Sequence, residues 1–226
     1  MKMVLCMALA AIVPYLLCGI NSAIIVTKIK SGQDIRELGS GNAGLTNTLR
    51  TQGKAAALLV LIGDILKGVL SILAVHFIFK LILDVDTYYT LGTWTWVNYF
   101  AGVFGAIGHI YPIYYGFKGG KGILVTFAAM LAINWIAGVI PFIIFVIVVA
   151  ISRYVSLGSI IAAAVYPFTV LILSLMQNDW SSWINFGLSA VIGIMLIFMH
   201  RANIKRLLNH TEKKLGQKSE ENEAAK

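Results

Sequence analysis

Apolar positions in this chain come in long runs, and the polar positions gather in short stretches between them. Residues 3–26 form the first run, 55–79 the second and 94–113 the third; 158–176 and 182–199 follow later, joined by the short turn Gln177-Asn178-Asp179. Such runs match the ~20 apolar residues that cross a bilayer. The run 123–151 is ambiguous, since it reads as one long span or as two passes. Divided near Gly138 and Pro141, where a proline is suited to break a helix, it gives two short, tilted or partly re-entrant helices. The pattern predicts an all-α membrane protein, a bundle of about seven transmembrane helices.

Composition supports the membrane class. Of 226 residues, 58% are hydrophobic and only 12% charged, and mean hydropathy is +0.82; a soluble chain carries ~25% charged residues. The net charge of +8 then falls on a few polar segments and orients the chain, because basic loops stay in the cytoplasm. The loop 27–54 holds Lys28, Lys30, Arg36, Arg50 and Lys54 against Asp34 and Glu37, so it is cytoplasmic and the N-terminus outside. Two passes in 123–151 keep the basic C-terminal end, with Arg201, Lys205 and Arg206, cytoplasmic as well. Residues 1–216 are expected to form a single membrane domain and 217–226 a disordered cytoplasmic tail. No soluble basic domain exists to bind nucleic acid. Cys6 and Cys18 lie in the first run and have no metal-ligand spacing.

This topology puts four unusual polar stretches at one face. In Gly39-Ser40-Gly41-Asn42-Ala43-Gly44-Leu45-Thr46-Asn47-Thr48-Leu49-Arg50, small residues free backbone N–H groups. Ser40, Thr46 and Asn47 offer side-chain hydrogen bonds, and Arg50 can hold an oxyanion through two parallel bonds. The formal GxGxxG there is not a dinucleotide motif, because no strand precedes it. The second stretch runs from Gly108-His109 to Phe117-Lys118-Gly119-Gly120-Lys121-Gly122, with the glycines and lysines of a phosphate pocket. It is not a Walker A loop, since neither Ser nor Thr follows Lys121. Arg153 to Ser159, including Ser156, is the third. The fourth, His200-Arg201-Ala202-Asn203-Ile204-Lys205-Arg206-Leu207-Leu208-Asn209, puts His200, Asn203 and Leu207 on one helical face with Arg206 beside Asn203; such a basic helix also suits an anchor to anionic lipid. Four anion-friendly stretches suit a substrate with more than one phosphate. Inside the second run, Asp64 and Lys67 are spaced to form an ion pair, as charges at that depth require, and Asn134 is expected to bridge helices.

Taken together and in order, Gly-Ser-Gly-Asn-x-Gly-x-Thr-Asn-x-x-Arg at 39–50, Gly-His-x-x-Pro with Phe-Lys-Gly-Gly-Lys-Gly at 108–122, and His-Arg-x-Asn-Ile-x-Arg-Leu at 200–207 closely resemble the bacterial acyl-phosphate–glycerol-3-phosphate acyltransferases. The resemblance covers nearly the whole chain. It implies a seven-helix enzyme of the bacterial inner membrane, with its active site at the cytoplasmic face. The enzyme would transfer a fatty acyl group from acyl phosphate to glycerol 3-phosphate, giving lysophosphatidic acid and phosphate. It implies no cofactor and no metal, membrane lipids as surroundings, and the enzyme that makes acyl phosphate as a possible partner. Catalytic residues would be Ser40, His109 and Lys118. Substrate phosphates would be held by Gly39, Gly41, Asn42, Gly44, Thr46, Asn47 and Arg50, by Gly119, Gly120, Lys121 and Gly122, and by Ser156, His200, Asn203 and Arg206. Leu45, Ile123-Leu124-Val125 and His210 depart from the family pattern, the first two where they bear on pocket shape.

The chemistry suits these residues. An acyl phosphate is a mixed anhydride, so no nucleophilic serine or cysteine is needed; the protein must align two charged groups and exclude water. The general base is either His109, which equally suits a structural brace for the glycine loop, or a substrate phosphate oxygen. The main alternative is a membrane transporter for an organic phosphate or other anion. Against it stands the one-sided placement of the motifs and the lack of an inverted repeat.

Overall fold

The computed structural model describes residues 1–87 and 94–217. Within them the chain forms ten α-helices and no strand: α1 (Lys2–Gly19), α2 (Ser22–Ser31), α3 (Leu45–Gln52), α4 (Lys54–Leu83), α5 (Thr95–Ile110), α6 (Ile123–Ile133), α7 (Trp135–Ser152), α8 (Val155–Met176), α9 (Ser182–Met199) and α10 (Arg201–Leu208). The expected tail lies outside the described residues, apart from Gln217.

Among the described residues, five stretches are long and apolar enough to cross a membrane: Lys2–Ser31, Lys54–Leu83, Trp135–Ser152, Val155–Met176 and Ser182–Met199. Large apolar side chains stand exposed along them, Leu59, Leu66, Ile147, Phe168 and Ile194 among them. Such a surface is stable only against lipid, so this is an integral membrane protein that crosses several times. Helix α5, at 16 residues, and α6, at 11, are shorter because both lie inside the bundle. α5 packs against α1, α4, α6 and α9 and buries His109, Ile110 and Gly105.

Two cores hold the helices together. Tyr99, Val103, Met130, Ala163, Tyr166, Val170, Ile192 and Leu196 join α5, α6, α8 and α9. Cys6, Ala10, Ile72, Val75, Phe79, Val97, Ala101 and Ala129 join α1, α4, α5 and α6. Close approach depends on small residues, as is usual where lipid removes the hydrophobic drive between helices. A third, smaller core of Ala23, Ile24, Ile35, Ala43 and Val60 seats the segment between α2 and α3 on α4.

Two expected elements differ. The first run is not one helix over 3–26. It breaks at Ile20-Asn21 and resumes to Ser31, because the Asn21 side chain accepts from Ile24 N–H at 3.1 Å and caps α2. The run 123–151 breaks at Asn134, not near Gly138 or Pro141. Asn134 accepts from Ala137 N–H at 3.2 Å and caps α7, while Pro141 sits inside α7. A capping side chain satisfies the new helix start, whereas a proline removes only one donor. Asn134 thus separates two helices instead of bridging them.

Candidate active site

Four helices begin at one cavity. The first residues of α3 (Leu45, Thr46), α6 (Ile123, Leu124), α8 (Val155, Ser156) and α10 (Ala202, Asn203) line a space of about 1060 Å³. None of these four starts carries a side-chain cap. Their free N–H groups and dipoles therefore make one end of the cavity attractive to anions. Cations reinforce it: Arg50, Lys121, Arg206 and Lys213 line the wall against two carboxylates, Asp64 and Glu212.

The first loop is shaped by Asn47. Its Oδ1 accepts from Ser40 N–H at 3.0 Å, and its Nδ2 donates to the carbonyls of Ile35 and Leu38 at 3.2 and 2.9 Å. Both ends of this buried side chain are thus used to fold the loop, and Asn47 serves as a brace where a substrate contact was expected. Gly39, at φ 55°, passes so close to Asn47 that a Cβ would lie 2.6 Å from its Oδ1. What remains for a ligand is the Ser40 hydroxyl, Asn42, Thr46 and Arg50. The Arg50 guanidinium has no side-chain hydrogen bond or ion pair among the described residues.

The lysine–glycine stretch does two jobs. Gly119 and Gly120 donate their N–H groups to the carbonyls of Ile110 and His109, at 3.0 and 3.2 Å. The strand of loop so formed lies against His109 so tightly that a Cβ on Gly120 would be 2.4 Å from Nε2. These glycines hold the loop to the end of α5, and their N–H groups are not offered to a ligand. Arg36 pins the same loop from the other side. It pairs with Asp34 at 2.6 Å and donates to the carbonyls of Tyr115 and Lys118 at 2.8 and 3.1 Å. The Lys118 side chain is exposed and does not line the cavity.

Lys121 does reach the cavity, where its Nζ donates to Asn203 Oδ1. Burial, together with nearby Arg206 and Arg50, lowers its pKa from 10.5 to about 8, against the opposing pull of Glu212. Asn203 in turn donates to Glu212 Oε1 at 2.7 Å, Ser156 to the same oxygen at 2.6 Å, and Arg206 to Oε2 at 2.6 Å. Burial raises the Glu212 pKa, but these three donors more than offset it and leave the carboxyl below its usual value.

The two cavity histidines are set in opposite senses. His109 Nδ1 lies 3.0 Å from Lys67 Nζ, and Lys67 lies 2.9 Å from Asp64 Oδ1 and 2.7 Å from the Ile20 carbonyl. The expected Asp64–Lys67 pair is thus present. Its 2.9 Å contact is an attraction of charges and not an aligned hydrogen bond, since Asp64 Oδ1 has no aligned donor. His200 Nδ1 donates to the Leu196 carbonyl at 2.7 Å, and burial pushes its pKa down to about 4. At neutral pH its Nε2 is therefore an acceptor, suited to a hydroxyl and not to a phosphate.

Away from the charges the cavity continues as an apolar arm lined by Leu61, Ile65, Leu124, Phe127, Met130, Pro141, Phe142 and Phe145. Phe127 stacks on Phe142 with ring centroids 4.8 Å apart.

Of the residues expected at the site, Gly39, Ser40, Gly41, Asn42, Gly44, Thr46, Asn47, Arg50, His109, Lys121, Gly122, Ser156, His200, Asn203 and Arg206 meet at this cavity; Lys118, Gly119 and Gly120 stand outside it. Glu212 and Arg36 were not anticipated. The only sequence signal for Glu212 was a lone carboxylate soon after the fourth basic stretch.

Residues 8–210 match the family described as glycerol-3-phosphate acyltransferase. A glycerol-3-phosphate acyltransferase of Clostridioides difficile (strain 630) is 41% identical over 210 residues, 93% of this chain and 96% of that protein. One from Nostoc sp. is 40% identical over 211 residues, 92% and 91% of the two chains. Two crystal structures of PlsY (YgiH), an integral membrane glycerol 3-phosphate acyltransferase, share the fold. The glycerol 3-phosphate form gives a TM-score of 0.75 at 31% identity, covering 93% of this chain and 96% of that one. The lysophosphatidic acid form gives 0.72 at 30%, covering 93% and 95%.

Proposed function

The chain belongs to the glycerol-3-phosphate acyltransferase family, and from that premise we propose that it transfers a fatty acyl group from acyl phosphate to glycerol 3-phosphate. The observation that carries this reading is the continuity of one cavity, with an anion-binding end at four helix starts and an apolar arm between α4, α6 and α7. An acyl phosphate needs both. Glycerol 3-phosphate needs the first.

The glycerol hydroxyl oxygen attacks the acyl carbon, the bond from that carbon to the phosphate oxygen breaks, and phosphate leaves. Arg50, Lys121 and the helix starts hold the two phosphates and the charge that develops. Ser40 and Thr46 donate hydrogen bonds to them. His200 Nε2 accepts from the hydroxyl and orients it, but with a pKa near 4 it is too weak a base to keep the proton. The departing phosphate, with a second pKa of about 6, takes it. His109 is not the base, because its Nδ1 faces a lysine ammonium. The products are lysophosphatidic acid and phosphate, with no cofactor required.

The finer topology belongs to the same proposal. Counting α5 and α6 as crossings gives seven, with the N-terminus outside, the C-terminus inside, and the cavity opening to the cytoplasm of a bacterial cell; residues 1–216 act as one domain in the inner membrane. The basic loop carrying Lys28, Lys30 and Arg50 supports this orientation. A cysteine replacing the exposed Lys205 is expected to stay unlabelled by an impermeant thiol reagent in intact cells, against a low background because Cys6 and Cys18 are buried. Labelling from outside overturns the orientation.

The reaction is tested by phosphate release from palmitoyl phosphate, with and without glycerol 3-phosphate, and with acyl-CoA as a parallel donor. Release that requires glycerol 3-phosphate, with lysophosphatidic acid formed in step, is the expected result. Acylation from acyl-CoA alone refutes the proposed donor.

A further inference from the structure

A buried lysine stands behind the cavity wall with no direct access to a ligand. Lys67 is 8% exposed and is absent from the cavity lining, unlike its neighbours Asp64 and His109. An ammonium has three N–H groups and no lone pair. Three groups surround this one: the Asp64 carboxylate at 2.9 Å, the Ile20 carbonyl at 2.7 Å and His109 Nδ1 at 3.0 Å. The first two can only accept. Nδ1 must accept as well, since the nitrogen facing it has only hydrogens to offer. The imidazole hydrogen is then on Nε2, on the other edge of the ring, beside Gly120 and the cavity.

The fold builds this arrangement deliberately. The Ile20 carbonyl is free because the helix breaks at Asn21, where capping starts α2 afresh. The loop at Gly119 and Gly120 then clamps His109 from the far side. The ring is thus held between Lys67 at Nδ1 and the close-packed Gly120 at its other edge.

We infer that Lys67 is a positioning residue: by donating to His109 Nδ1 it holds the imidazole as an Nε2–H donor aimed at the phosphate end of the cavity. The donor there meets a phosphate oxygen of the bound substrate next to Lys121 and the start of α6. This is the inverse of a base. It rests on the proposed function for the identity of the anion, but the state of the ring does not depend on it. Partners that orient a metal-ligating histidine change activity by about 10–100-fold when removed, and a loss of that order is expected here.

The test begins with protein labelled with nitrogen-15 in histidine, in detergent micelles. A ring nitrogen bearing hydrogen resonates far from one bearing a lone pair, and the four histidines are assigned by the signals lost in His109→Gln. His109 is expected to show a lone pair on Nδ1 and hydrogen on Nε2; hydrogen on Nδ1 in the unaltered protein overturns the inference. Because Lys67→Met alone would strand Asp64, the working variant is the neutral pair Asp64→Asn with Lys67→Met. That pair is expected to abolish the single ring state; an unchanged His109 spectrum in it refutes the role of Lys67.

Kinetics add a second readout. His109→Gln, whose amide can reach the Nε2 position, is expected to keep about tenfold more activity than His109→Asn. The neutral pair is expected to cost about 10–100-fold with His109 present and little once His109 is glutamine, because contacting residues are not additive. Independent losses in the two backgrounds overturn the inference. If the unaltered protein does not acylate glycerol 3-phosphate, the proposed function fails while the spectra still decide the ring state.

Discussion

The Ser156 hydroxyl donates to the Glu212 carboxylate at 2.6 Å, across 56 positions of chain. That single contact ties the start of α8 to the segment after α10, and Asn203 and Arg206 converge on the same carboxylate. Arg153 and Leu215 reinforce the junction through a reciprocal backbone and side-chain pair at 2.7 and 3.1 Å. Removing Glu212 would leave three donors without their acceptor. Glu212→Ala is expected to destabilise the folded protein by about 2–4 kcal/mol, and Glu212→Gln by less, measured as loss of thermal stability in detergent. The carboxyl titrates below its ordinary 4.5 when folded, so its contribution is complete above that value. It is lost as pH falls through the lower folded value.

Lys121 titrates near the working range of a cell. With its pKa lowered to about 8, the empty site loses a positive charge as pH rises through that value. A bound phosphate restores the proton, so the cost appears in binding. KM for glycerol 3-phosphate is expected to climb above about pH 8 while kcat holds, and Lys121→Arg, which stays charged, is expected to flatten that rise.

Two basic residues near the same loop should behave oppositely to first expectation. Lys118 is exposed and only its backbone is engaged, so Lys118→Ala is expected to keep activity within about twofold. Arg36 never touches the cavity, yet its fork holds two carbonyls of the loop. Arg36→Lys cannot reproduce that geometry and is expected to lower kcat/KM by about tenfold in folded protein. A steady-state comparison of the two variants checks both.

Leu124, in the first turn of α6, lines the apolar arm together with Phe127, Phe142 and Phe145. Leu124→Ala enlarges the arm close to the charged end. Competition between acyl phosphates of different length is expected to shift toward longer or bulkier chains, by about tenfold between the extremes.

The sequence made the large features legible for a plain reason: a run of twenty apolar residues has one use in lipid, and glycine beside lysine has few. The finer breaks were hidden. Asn134 is one polar residue in an apolar run and looks like an interhelical hydrogen bond, while Pro141 draws attention yet sits within α7. Asn21 is masked in the same way. At the site, residue type identified what could bind an anion but not which donors remain free after folding. Asn47 and the N–H groups of Gly119 and Gly120 have the right chemistry and are used within the protein. Glu212 escaped notice because its partners lie 6, 9 and 56 positions away, which no local pattern can register.

The four uncapped helix starts bear on how this site could be inhibited and how it could escape inhibition. Their donors belong to the main chain, and every amino acid except proline supplies the same N–H. A compound that engages Arg50 or the Ser40 hydroxyl can be evaded by one substitution. One that spans the first turns of α3, α6 and α8 grips atoms that, of the twenty residues, only proline removes, and one proline takes away a single donor of several; resistance would otherwise have to arise by moving a helix.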